Sequence, residues 1–115
     1  MKLKSIETFS GRSICFVRVT DTDGAQGWGM TAPFEADITA QILHRIAAGI
    51  ALESFADFTA VADEIIRRQY KFLGSFLARA AAGIDTALWD LEAKKRGISV
   101  AEMAGKKRGY IDLYA

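Results

Sequence analysis

Residues 74–105, GSFLARAAAGIDTALWDLEAKKRGISVAEMAG, carry the clearest pattern in this 115-residue chain. Leu73, Leu77, Ala80, Ile84, Leu88 and Leu91 recur at spacings of three and four, which lays one apolar stripe along a helix. Lys94, Lys95 and Arg96 crowd its last turn, where cations meet the negative end of the helix dipole. Gly97 then supplies the left-handed residue that commonly ends a helix. Ser99 and Glu102 have capping-box spacing and Gly105 is a second stop, so a short helix is predicted over residues 100–104. Gly83 sits mid-helix beside Ala80, Ala81 and Ala82, where glycine costs about 1 kcal/mol against alanine. Close approach of another backbone is the expected compensation. Trp89, with Asp85 and Asp90, lies off the stripe and predicts a second contact surface.

The amino-terminal third reads as an antiparallel meander. Residues 2–9 and 13–21 form two strands around a hairpin loop at Ser10, Gly11 and Arg12; Ile14, Cys15, Phe16, Val17 and Val19 make the second the clearer one. Asp23-Gly24 is a hairpin turn signal, and residues 25–31 return as a third strand. Gly27 and Gly29 mark a bulge or a close backbone approach, with Trp28 expected as an apolar plug between sheet and helices. From Glu35 the period becomes helical, Ile38, Ile42, Ile46 and Ile50 repeating every four residues with Leu43 and Ala47 widening the face. A further helix is predicted over residues 58–72, with Val61, Ile65 and Tyr70 or Phe72 inward. Tyr110 to Ala115 alternate like a strand that either joins this sheet or opens another structure.

Composition narrows the classes. Half the residues are hydrophobic and a quarter charged, the balance of an ordinary soluble domain, and a net charge of +1 gives no electrostatic pull toward nucleic acid or an acidic membrane. Cys15 is the single cysteine, so no internal disulfide forms, and its strand setting predicts a buried, inert thiol. The first residues lack the apolar run of a secretory signal, and no window approaches the ~20 apolar residues of a membrane span. The expectation is a cytoplasmic protein. Asp21, Thr22, Asp23 and Gly24 superficially resemble a calcium loop but lack its closing glutamate. His44 is the single histidine, so it reads as a structural or exposed imidazole rather than a metal ligand.

Residues 80–105 resemble the signature segment of the mandelate racemase and muconate lactonizing enzyme family of the enolase superfamily. Gly83, Ile84, Asp85, Ala87, Leu88, Asp90, Leu91, Lys94, Val100 and Gly105 stand at that family's spacing, with Trp89 among them. Met103 and Ala104 depart from the usual leucine pair, Lys106 from a common glycine, and Met30 from the glutamate many members carry after a Gly-Trp-Gly segment. The resemblance implies an α+β amino-terminal capping domain over residues 1–109, a three-stranded meander followed by a helical bundle. It implies that residues 110–115 open a (β/α) barrel of about 200–250 further residues. It also implies a homo-oligomeric, magnesium-dependent enzyme acting on a small-molecule carboxylate, as racemase, epimerase, dehydratase or cycloisomerase, with metal and bases in the barrel.

On that resemblance the signature residues are structural, and none inherits a catalytic or metal-binding role. The capping contacts fall instead on Ser10, Gly11 and Arg12 and on the segment after the third strand, with Thr31 and Phe34. Arg12 would meet a substrate carboxylate and Phe34 exclude water. By its own residues the chain presents no catalytic trio and is expected to be inactive alone. The rival reading is a noncatalytic module that dimerises or binds a partner through the Trp89 face.

Overall fold

The computed structural model describes residues 1–114. Strands β1 (Leu3–Ser10), β2 (Cys15–Asp21) and β3 (Gln26–Met30) form an antiparallel sheet in that order. Parity on β2 fixes its faces: Cys15, Val17, Val19 and Asp21 are buried, so Phe16, Arg18 and Thr20 point away from the core. Register then carries this parity across the sheet. Thr8 and Gly29 flank Val17 on the inner face, while Glu7 and Trp28 flank Arg18 on the outer one.

The helices cover the inner face. Helix α1 (Ala36–Ile42) passes through a π turn (Leu43–Ala47) into α2 (Ala48–Ala51). Helix α3 (Ala60–Arg68) and a 3-10 turn (Tyr70–Phe72) lead to the long α4 (Ser75–Arg96), and α5 (Val100–Met103) follows. Leu77, Ile84, Leu88 and Leu91 of α4 are buried in the core, each contributing about 1.5–3 kcal/mol by leaving water. Both ends of the expected stop-and-start are present: Gly97 is left-handed at φ 68°, and Ser99 and Glu102 form a complete capping box.

The expected close approach is made by three glycines. A Cβ on Gly27 would lie 2.1 Å from the Ala87 carbonyl oxygen, and one on Gly29 would lie 2.6 Å from both the Ala87 amide nitrogen and the Gly83 carbonyl oxygen. A Cβ on Gly83 would meet Thr31 Cγ2 at 2.7 Å. Strand β3 therefore rests directly on the α4 backbone. The carboxylate of Asp90 reaches back to accept the Trp28 backbone N–H at 2.8 Å, while also taking the Lys94 ammonium.

Several sequence expectations are corrected. Trp28 is no plug: the helix presses on its glycine neighbours, so its ring falls on the outer face, 41% exposed. Trp89 offers no free second contact surface, because it packs edge-on against Phe58 at 5.3 Å between α3 and α4. Helix α3 stops at Arg68 when Gln69 leaves the helical region, which turns Tyr70, Phe72 and Leu73 out to solvent. The isoleucine stripe is the flank and not the centre of its helix. Leu43 and Ala47 lie fully buried while Ile38 is 42% exposed, since the π turn holds an extra residue and shifts the phase.

Residues 110–114 form no strand and pair with nothing in the three-stranded sheet; Tyr110, Ile111, Leu113 and Tyr114 are exposed. Alternation alone makes no strand without a partner ladder. Ala115, the last residue of that alternation, lies outside the described residues.

Candidate functional site

The two loops singled out in the sequence meet at one end of the sheet. In the β1–β2 loop the Gly11 N–H donates to the Ile14 carbonyl at 2.8 Å, closing a tight turn. That turn is fastened to the β3–α1 loop by the Ala36 N–H, which donates to the Arg12 carbonyl at 2.9 Å. Arg12 Nε also lies 3.8 Å from Glu35 Oε2. This pair is long and open to water, the Arg12 side chain being 83% exposed, so the guanidinium keeps its capacity for another anion. Ser10 and Gly11 are exposed beside it.

The second loop is held from below. Thr31 donates its N–H to the Cys15 carbonyl at 3.1 Å, and its side chain is 2% exposed against Gly83. Thr31 is thus corrected from a surface contact to a buried strut. Phe34 is 74% exposed, and its backbone carbonyl accepts a hydrogen bond from Arg79 Nη1 of α4 at 2.8 Å, with Arg79 stacked on Phe76. Next to it, Glu35 has φ 52°, the left-handed conformation, alone among the described non-glycine residues. Strain of this kind persists where surrounding contacts over-determine the chain, and it concentrates at functional loops.

Burial pushes the Cys15 thiol above its ordinary range, keeping it protonated and unreactive. His44 sits on the π turn with Nε2 2.7 Å from Thr8 Oγ1, beside an open groove of about 560 Å³ that Ser10, Asp37 and Gln41 help to line. Asp21 is nearly enclosed, accepting the N–H groups of Asp23 and Ala25 and the Lys95 ammonium, each at 2.9 Å. Burial pushes its carboxyl up, but the Lys95 ammonium and those backbone donors outweigh it and hold the carboxyl below its usual range. Asp85 is raised instead, by burial and then by the nearby Asp63 charge.

Magnesium does not fit the residues present. Among the described residues no group of three or more His, Cys, Asp or Glu converges, and on α4 Asp90 and Glu92 are each taken by a cation. Sequence reading missed Arg79 and Asp90 as loop and edge fasteners. Their partners are backbone groups 45 and 62 residues away, which leave no local pattern.

A three-stranded meander backed by a long helix through a glycine seam, with two joined loops at the sheet's end, defines an enolase-type amino-terminal α+β domain. The sequence profile of the family described as mandelate racemase / muconate lactonizing enzyme, N-terminal domain, matches residues 2–105, and the chain belongs to that family. It is 33% identical over 114 residues to o-succinylbenzoate synthase of Bacillus subtilis, covering 90% of this chain and 29% of that protein. It superposes on a candidate racemase from Roseobacter denitrificans with a TM-score of 0.87 and 49% identity, over 93% of this chain and 30% of that one. A mandelate racemase/muconate lactonizing protein from Paracoccus denitrificans, complexed with magnesium, matches at a TM-score of 0.81 and 28% identity, over 90% and 30% of the two chains. The chain thus spans about a third or less of these relatives. No helix among the described residues is long and apolar enough to cross a membrane.

Proposed function

We propose that this chain is the substrate-capping portion of a longer magnesium-dependent enzyme that removes a proton α to a carboxylate and stabilises the resulting enediolate. Racemisation, epimerisation, dehydration and cycloisomerisation all follow from that one step. The observation that carries the reading is the joining of the two loops, through the Ala36 N–H and the Arg12 carbonyl, into one rim with a free guanidinium and an exposed phenyl ring. Ser10, Gly11 and Arg12 form the polar side of this rim and Phe34 its apolar side. Thr31 sets the height of the second loop from beneath. The metal and the proton-transferring bases belong to a barrel domain beginning at residues 110–115, after a capping domain of residues 1–109.

The magnesium-bound Paracoccus denitrificans relative supports the metal in the parent enzyme. Sequencing the encoding DNA past Ala115, with an intact mass of the native product, tests the reading. A continuation of about 200–250 codons with separated acidic residues is expected. A stop codon at that point with a folded product would overturn it. In the longer protein, Arg12→Ala and Phe34→Ala are expected to raise KM several-fold with a smaller change in kcat. The 115-residue chain alone is expected to give no turnover, with or without magnesium, in a proton-exchange assay.

A further inference from the structure

The outer face of the sheet is apolar and uncovered. Phe9 (45% exposed), Phe16 (42%), Trp28 (41%) and Met30 (51%) occupy neighbouring register positions across all three strands. A single exposed apolar residue is ordinary, but four contiguous ones mark a contact surface. The charges within the face are already satisfied. Arg18 makes two 2.8 Å hydrogen bonds to the Glu7 carboxylate, and its guanidinium lies 5.1 Å from the Phe9 ring centroid and 5.2 Å from that of Trp28. The face therefore offers flat apolar area and no free ion, the chemistry of a surface that expects an apolar partner.

Area chooses among partners. Large side chains of this kind cover about 150–250 Å² when buried, so the four leave roughly 350 Å² open. A stable interface between separate molecules takes about 800 Å² per partner, which a second copy docking here would not find. Interfaces between domains of one chain start lower, at about 600 Å² in total, because the tether removes most of the cost of bringing partners together. We propose that this outer face, centred on Phe9, Phe16, Trp28 and Met30, is the seat on which the remainder of the longer polypeptide docks. The inference rests on the reading of the chain as one part of a larger enzyme, and adds which face of the domain meets the rest.

The experiment is hydroxyl-radical footprinting, read by mass spectrometry, on the full-length product and on the 115-residue chain, each over a tenfold concentration range. Trp28 and Met30 are expected to be labelled at least fivefold less in the full-length protein, independently of concentration. Trp28→Arg in the full-length protein is expected to restore most of the Met30 labelling. Equal labelling in the two chains would overturn the docking face while leaving the capping function standing, provided the reading frame continues past Ala115. Protection that appears only as concentration rises, in either chain, would assign the face to a second copy and overturn the proposal too. A closed reading frame would remove the capping function itself, before any footprint is taken.

Discussion

Gly29 contributes no side-chain atom, yet the spacing between sheet and helix depends on it. An added Cβ would stand 2.4 Å from Thr86 Oγ1 and 2.6 Å from the Ala87 amide nitrogen and the Gly83 carbonyl oxygen, two of which are backbone atoms that cannot swing aside. Gly29→Ala is expected to destabilise the chain by about 3 kcal/mol through overpacking. Gly49→Ala, where an added Cβ meets nothing within 4 Å, is expected to gain a few tenths of a kcal/mol or more. Urea midpoints of the two variants check the contrast; equal midpoints would sink it. The small-residue cluster at Gly83 made the close approach legible from sequence, and so did the glycines flanking Trp28. The direction of Trp28 was not. A five-residue strand has the same pattern from either side, and only the position of α4 says which parity is inward.

The ends of the elements follow local chemistry more closely than their middles. Gly97, Ser99 and Glu102 place the break between α4 and α5 because each acts on backbone groups within four residues. The π turn at Leu43–Ala47 left no such mark, since an extra residue in a helix is accommodated by what packs against it. The entry to α1 is a special case: Glu35 is left-handed and gives no side-chain cap. Glu35→Gly relieves a conformation that costs a non-glycine residue about 1 kcal/mol, and it loses only a long, exposed ion pair to Arg12. The thermal midpoint is therefore expected to rise by a few degrees. A fall would mean that the carboxylate matters to the rim more than its 3.8 Å distance allows.

Across the whole molecule, the antiparallel meander, the long helix and the two candidate loops could be read from sequence, while the contacts that join them could not. Arg12 to Ala36, Phe34 to Arg79 and Asp21 to Lys95 are long-range pairs between residues common on any surface. The last of these ties the β2–β3 turn to the end of α4 and gives stability a pH dependence. The folded state holds the Asp21 carboxyl below its ordinary value, so the contribution is full above about pH 5 and is lost as pH falls through the folded pKa. Asp21→Asn is expected to be less stable than the parent chain at pH 7, with the gap closing below about pH 4. A gap that stays constant in denaturant titrations across that range would refute the linkage. The glycine seam has a further consequence for how such a domain diversifies. Because β3 and α4 touch backbone to backbone, the sheet's end cannot tilt without the helix, and the platform stays fixed while loop side chains are exchanged upon it. New chemical preferences can then arise by swapping a few rim residues, with the scaffold paying no penalty for the experiment.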